Sequence, residues 1–345
     1  MNTGSTEQFA EWLAETVRSL GAHSSACLRM DNPLLRERIE ENSLRMAQWL
    51  KIGRHGEMDY LERMFPAKAN PWEHFAFAKS VIVVAFTNHW GDPGATHPFP
   101  EPAGDALLGY ISAYAKGIDY HVRGQTILRV LHEQLGAAVK AEATVDTEAV
   151  YERLFAVAGG LGVYGGNNLL RVPDQQSVRV FIGCLFVDRE LPEVIHAPQM
   201  PFACETCRAC VKNCPTGAIG FGQPIDARKC ISYLTIEKRT VLTPEEGAQI
   251  GDWLFGCDGC TSVCPPRDAG DGRIPVDLEW LFKTSAAELR RLIKGSAVSY
   301  AGVTQLRKNG VVVLKNMNSP QADKLFEWVR IHNGSERVQQ QLLVG

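Results

Sequence analysis

Eight of the ten cysteines in this 345-residue chain fall between residues 204 and 264. They read Cys204-x2-Cys207-x2-Cys210-x3-Cys214-Pro215, then Cys230, then Cys257-x2-Cys260-x3-Cys264-Pro265. A C-x2-C-x2-C-x3-C-P run is the bacterial ferredoxin spacing for a 4Fe–4S cluster, in which three close thiolates wrap one cluster and the fourth ligates its neighbour. The second half repeats this with its first cysteine displaced upstream to Cys230. The spacing therefore predicts one cluster on Cys204, Cys207, Cys210 and Cys264, and a second on Cys214, Cys230, Cys257 and Cys260. A zinc site would use four ligands and leave the rhythm unexplained. Disulfides would need an oxidising compartment, whereas Met1 to Glu15 is polar and acidic, unlike a signal peptide. Cys27 and Cys184 fall outside the spacing and are expected to be small buried apolar residues, dispensable for the clusters.

Two other stretches invite a chemical reading. Asp119-Tyr120-His121-Val122-Arg123-Gly124 fits D-x-H-x-x-G, by which some cobalamin proteins place a histidine on cobalt. That signature belongs after a first strand of a Rossmann-like domain, with Ser-x-Leu further on, and neither condition is met. Capping or packing is the expected role of Asp119 and His121. Gly159 to Gly166 has G-x-G-like spacing but follows a predicted helix, so a nucleotide-binding turn is not supported.

The elements that must position these residues are of mixed type. Residues 6 to 51 read as two or three helices, and Gly53 to Met64 as a turn and a short helix. Ser80 to Phe86 is a continuous apolar run of the length of a buried strand. Residues 91 to 104 hold four prolines and three glycines, which predicts a loop. Ala106 to Ala115 and Gln125 to Leu135 read as helices, Ala141 to Val145 as a strand, Glu148 to Val157 as a helix broken by the glycines, and Val178 to Val187 as a strand. After Pro275 the chain reads as helices. The strands are too irregularly spaced for a plain βαβ repeat.

No apolar run approaches the length of a membrane span, and hydrophobic residues make up an ordinary 45%. The expectation is a cytoplasmic protein without a membrane partner. A net charge of −3 argues against nucleic-acid binding by the surface at large. Yet residues 285 to 345 hold nine Lys/Arg (Arg290, Arg291, Lys294, Arg307, Lys308, Lys315, Lys324, Arg330, Arg337) against four acids, a basic segment suited to phosphates.

Several stretches together resemble the epoxyqueuosine reductase family, cobalamin-dependent iron–sulfur enzymes of tRNA modification. They are Gly56 to Leu61, the strand Ser80 to Phe86, Ala113 to His121, Val145 to Glu152, Gly160-Leu161-Gly162, Cys230 to Glu237 and Gly256 to Cys260, in that order from about residue 50 to residue 320. The resemblance implies an α+β protein with three parts. Residues 1–198 would be a nitroreductase-like cobalamin-binding domain, 199–272 a ferredoxin-like domain with two 4Fe–4S clusters, and 273–345 a short helical, HEAT-like remnant whose helices stop soon after Asn316. It implies electrons passing from an external low-potential donor through the clusters to cobalt, a tRNA anticodon stem-loop as partner, and a monomer. It also implies Asp146 as the proton donor, in an apolar cleft that would raise its pKa. From the residues alone Asp146 reads as a helix N-cap. The cobalamin pocket is expected from Tyr114, His121, Asp146, Gly165, Gly166, Asn167, Asn168, Ser232 and Tyr233. The two glycines would admit close backbone approach, and the two asparagines would donate to the corrin's amide rim.

The chain departs from the family pattern at the glycine-rich turn, where Gly-Leu-Gly-Trp-Ile-Gly-Lys is replaced by Gly160-Leu161-Gly162-Val163-Tyr164-Gly165-Gly166. Ala149 stands where the family has a proline. These differences bear on the substrate more than on the cofactors. The alternatives are a paralogous corrinoid reductase acting on a small molecule, as dehalogenases do, and an electron-transfer protein that reactivates another corrinoid enzyme.

Overall fold

In the computed structural model, which describes residues 5–87, 97–173, 180–197, 204–220, 222–264 and 272–344, the N-terminal elements alternate between helix and strand. They are α1 (Thr6–Ser19), β1 (Ala22–Arg29), α2 (Pro33–Lys51), α3 (Tyr60–Ala69), α4 (Pro71–His74), β2 (Ser80–Thr87), β3 (Leu108–Ile111), α5 (Tyr120–Leu135), β4 (Ala141–Thr144), α6 (Glu152–Ala158), β5 (Val163–Tyr164), β6 (Leu170–Arg171) and β7 (Val180–Val187). The cysteine block supplies α7 (Cys204–Cys207), α8 (Ala209–Asn213) and a π-helix at Tyr233–Glu237, followed by α9 (Pro244–Ile250) and β8 (Trp253–Phe255). After it come β9 (Ile274–Asp277), α10 (Leu278–Lys283), α11 (Ala286–Ile293), α12 (Gly302–Met317), α13 (Pro320–His332) and α14 (Glu336–Leu343).

β2 is apolar along its whole length because both of its faces are covered. Val81, Val83 and Ala85 point to one core with Leu35, Ile39, Leu154 and Phe155. Ile82, Val84 and Phe86 point to the other with Leu13, Val17, Leu128 and Leu131. The strand order is β1-β2-β7-β4, antiparallel throughout, so helices lie on both faces of an antiparallel sheet. Each fully buried aliphatic side chain contributes about 1.5–3 kcal/mol, and Phe75 stacked on Phe186 at 3.9 Å closes one side. Cys27 and Cys184 are fully buried free thiols, one in each core, as expected of small apolar residues.

Several expectations are corrected. Residues 6 to 51, read as two or three helices, also contain β1, whose Ala, Ser and Cys have no strong strand propensity. Pairing with β2 and a bridge from Cys27 to Val194 on the other edge impose the strand. Ala106 to Ala115 is β3 and a 3-10 turn at Ala113–Ala115, because Gly109 lets Leu254 approach within 2.6 Å of where a Cβ would stand. α5 begins at Tyr120, capped by Asp119, whose carboxylate accepts from the His121 backbone N–H. α6 begins only at Glu152. The C-terminal helices do not stop after Asn316, since α13 and α14 follow. Of the proline-rich loop, 97 to 104 holds neither helix nor strand and 91 to 96 lies outside the described residues, as do 178 and 179 ahead of β7.

A second sheet joins distant parts of the chain. β3 lies between β8, to which it is parallel, and β9, to which it is antiparallel. α12 packs behind β8, its Val311, Val312, Val313 and Leu314 all buried. No helix among the described residues is long and apolar enough to cross a membrane.

Candidate active site and cysteine centre

The eight cysteines of the block are free thiols that act on one another in two sets. Cys210 lies in the field of Cys204 and Cys207, and Cys264 in that of Cys204 and Cys210. Cys257 lies in the field of Cys230 and Cys214. Cys260 feels Cys230, Cys257 and Cys214, and also Cys210 of the first set. Burial pushes the Cys257 thiol up to about 12, and neighbouring thiols push the same way. Such a group is a poor home for bare thiolates and a fit one for iron, which deprotonates the sulfurs it binds.

The block is held from behind by polar side chains. A π-helix leaves carbonyls misaligned with the following turns, and here α12 supplies their donors. Thr235 O accepts from Gln305 Nε2 at 3.2 Å and Asn309 Nδ2 at 2.8 Å. Lys238 O and Thr240 O accept from Lys308 Nζ at 2.8 and 3.0 Å. Asn309 also donates to Leu254 O, and Thr235 Oγ1 accepts from Gly256 N–H, which ties the Cys230 and Cys257 segments together. Lys308 is fully buried, and burial lowers its ammonium to about 7. Lys308 is therefore no part of a basic surface. Arg307 is also committed, to the carbonyls of Leu281, Phe282 and Thr284.

Contacts on two sides fix the block to the N-terminal half. Asp258, 7% exposed, accepts from Ser112 Oγ at 2.7 Å and from the Ala113 N–H at 2.9 Å. On the other side Tyr233 Oη accepts from the Glu57 N–H at 2.7 Å, and a Cβ at Gly56 would stand 2.2 Å from that oxygen.

Asp146 stands apart from any helix cap. Its φ is 55°, six residues ahead of α6, and it is exposed. The capping role is thereby excluded. Tyr120 donates its O–H to Asp146 Oδ2 at 2.6 Å, while its ring stacks on Phe181 at 3.9 Å and on His121 at 4.1 Å. Burial and the facing carboxylate drive the Tyr120 phenol far above its ordinary value, so it remains a donor. Lys68 of α3 holds the following loop through Val150 O at 2.6 Å. Burial raises the Glu152 carboxyl to about 7, with Lys68 opposing and Asp146 adding to the shift. The field of Asp146 also reaches Tyr60 of α3 and Glu237 of the π-helix. Glu237 in turn accepts from Tyr300 Oη at 3.1 Å. The Asp146 carboxyl thus acts electrostatically on groups of both halves of the molecule, the Tyr120 phenol that bonds it and the half-buried Glu237 acid.

The residues nominated for one pocket divide. Asp146, Tyr114 and His121 belong to the Asp146 wall. Tyr114 packs 6.3 Å from Tyr120, and His121 Nδ1 lies 2.7 Å from Asp119 Oδ1, a contact that raises its pKa. An open cleft of about 550 Å³ lined by His121, Gln125, Arg129 and His132 lies along α5, and Asp146 is not part of its lining. Asn167 is 3% exposed and turned inward, its Oδ1 accepting from the Leu169 N–H and its Nδ2 donating to Cys260 O. Gly166 faces the cysteines, with Cys210 Sγ 3.4 Å from where its Cβ would be. Gly165 packs beneath Asn167, and Asn168, at φ 60°, is exposed. Tyr233 is buried under the Gly56 turn, and Ser232 opens the π-helix. The sequence reading gave Tyr120 and Asp258 no chemical role of their own, although both lie inside stretches already singled out, and it passed over Arg171, which nothing in the spacing marks.

Comparison with known proteins bears on both centres. Residues 203–267 match the family described as 4Fe-4S double cluster binding domain, and residues 68–147 that described as epoxyqueuosine reductase QueG, DUF1730. An epoxyqueuosine reductase of Vibrio cholerae is 30% identical over 87% of this chain and 82% of its own length. Another, of Pseudomonas aeruginosa, is 32% identical over 86% and 83%. Among solved structures, an epoxyqueuosine reductase with an epoxyqueuosine-modified tRNA-Tyr stem loop superposes at a TM-score of 0.79 with 21% identity, over 98% of this chain and 89% of that one. A Bacillus subtilis epoxyqueuosine reductase with its catalytic aspartate loop swung out of the active site superposes at 0.80 with 20% identity, over 98% and 89%. The cysteine block is a 4Fe–4S double-cluster domain.

Proposed function

Because the chain belongs to the epoxyqueuosine reductase family, we propose that it is an oxidoreductase that reduces epoxyqueuosine in tRNA to queuosine. The epoxide loses its oxygen as water and leaves an alkene, which takes two electrons and two protons. Cobalamin, when bound, would supply cobalt reactive enough to open the epoxide, fed one electron at a time by the clusters. The cluster ligands are Cys204, Cys207, Cys210 and Cys264 for one, and Cys214, Cys230, Cys257 and Cys260 for the other. Residues 1–198 form the cobalamin domain, nitroreductase-like in its helix-covered antiparallel sheet, with the cluster domain at 199–272 and the helical end at 273–345.

The donor set around Asp146 fits such a cofactor only in part. Asp146, His121, Asn168 and Ser232 are accessible to it, whereas Asn167 and Tyr233 are buried. The chain's own contribution is a proton at Asp146 Oδ1, with Oδ2 held by Tyr120. The observation that carries this reading is the exposed Asp146 carboxyl, off any helix, with one oxygen held by the Tyr120 phenol and the other left open. The matched Bacillus subtilis protein likewise carries its catalytic aspartate on a loop.

The test uses anaerobically purified protein, loaded with cobalamin, and an anticodon stem-loop carrying epoxyqueuosine, with the nucleoside product read by mass. Asp146→Asn should turn over at least about a hundredfold more slowly while accepting electrons normally. Near-normal turnover would remove Asp146 from the chemistry. No product with the unaltered protein would favour a small-molecule substrate.

A further inference from the structure

β6 carries an arginine into the cysteine block. Arg171 is 3% exposed and donates from Nη1 to Cys264 Sγ at 2.6 Å. A buried guanidinium is rare without a partner of opposite charge. The backbone is shaped around it. A Cβ at Gly162 would stand 2.1 Å from the Arg171 carbonyl oxygen, and one at Gly165 would stand 3.3 Å from its Cγ. With Gly166 against Cys210, the 162–171 hairpin forms one wall of the set Cys204, Cys207, Cys210 and Cys264. In the other set, Cys257 Sγ accepts from the Gly259 N–H at 3.4 Å and Cys214 Sγ lies 3.5 Å from the Thr216 hydroxyl, both neutral groups.

We propose that Arg171 sets the reduction potential of the cluster held by Cys204, Cys207, Cys210 and Cys264 above that of its neighbour, so that the two clusters fill one after the other. This rests on the ligand assignment above. Reduction adds one negative charge to a cluster, and a buried cation with an N–H on sulfur stabilises that added charge. Net charge and hydrogen bonds to sulfur are among the factors that set such potentials. The consequence suits the reaction, which takes two electrons from carriers of one. The cluster beside Arg171 keeps an electron in reserve while the other passes its own on.

The test is redox potentiometry of the full, cluster-loaded chain, following the reduced clusters by electron paramagnetic resonance. Unaltered protein should show two separate reduction waves. Arg171→Met should move the higher wave down, cutting the ratio of reduced to oxidised cluster at its original midpoint about tenfold, equivalent to about 59 mV for a one-electron couple. The lower wave should stay, and Arg171→Lys should fall between. Unmoved waves in Arg171→Met at full iron content would overturn the proposal. Loss of half the iron in both Arg171→Met and Arg171→Gln would also overturn it, by making Arg171 a support for assembly. Fewer than about eight irons in the unaltered chain would instead defeat the two-cluster reading on which the proposal stands.

Discussion

A single phenol holds one oxygen of the Asp146 carboxyl, and that arrangement separates two roles in one side chain. Tyr120→Phe removes the 2.6 Å bond and keeps the ring on Phe181. Hydrogen bonds to charged groups contribute about 1.5–3 kcal/mol. Turnover should therefore fall about ten- to a hundredfold, with the melting temperature nearly unchanged. Asp146→Asn should also leave stability alone, since Asn tolerates φ near 55°. Cys230→Ala should lose one cluster and retain about four of about eight irons, measured per chain after anaerobic purification. The cysteines were legible because their ligating pattern is local in sequence. The directions of Asn167 and Tyr233 were not, because each is set by a partner far away, at Cys260 and at Glu57.

At the scale of elements, α12 and the π-helix form one unit. Lys308 has its proton affinity lowered to about 7 by burial, against about 10.4 in an unfolded chain. Between those values the unfolded chain binds the extra proton, so stability must rise as pH rises through this window. Lys308→Met removes that contribution. The stability difference between unaltered protein and variant, from denaturant midpoints under argon, should grow in favour of the unaltered protein from pH 7 to pH 9. The Gly56 turn is equally specific. With φ at 63° and Tyr233 Oη in the space of a Cβ, Gly56→Ala should loosen the joint between the two halves and lower the melting temperature by several degrees. β2 and β7 were readable from their apolar runs. β1 and β3 were not, because their residues have no strand signature and only their neighbours in the sheets make them strands. The polar face of α12 reads as a basic surface until the carbonyls it serves are seen.

For the whole molecule, the surface offered to a nucleic acid is smaller than the charge count of the C-terminal segment suggests. With Arg307 and Lys308 turned inward and Arg330 paired to Glu327, the exposed cations of that segment include Arg290, Arg291, Lys294 and Lys324. Arg290→Glu with Arg291→Glu should weaken stem-loop binding and flatten its dependence on salt, because fewer counterions are released. An unchanged salt slope would place the phosphates elsewhere.

The second sheet also sets a timetable. β3 is made early, yet both of its neighbours, β8 and β9, lie far downstream, and Cys264, the proposed fourth ligand beside Cys204, Cys207 and Cys210, is made only in the same late interval. At translation rates of about 5–20 residues per second, the strand waits on the order of ten seconds on the ribosome before it can be paired. Iron arriving in that time meets a cup of three sulfurs without its fourth corner. Pairing of β3 and completion of the proposed cluster would therefore wait on the same downstream stretch of chain.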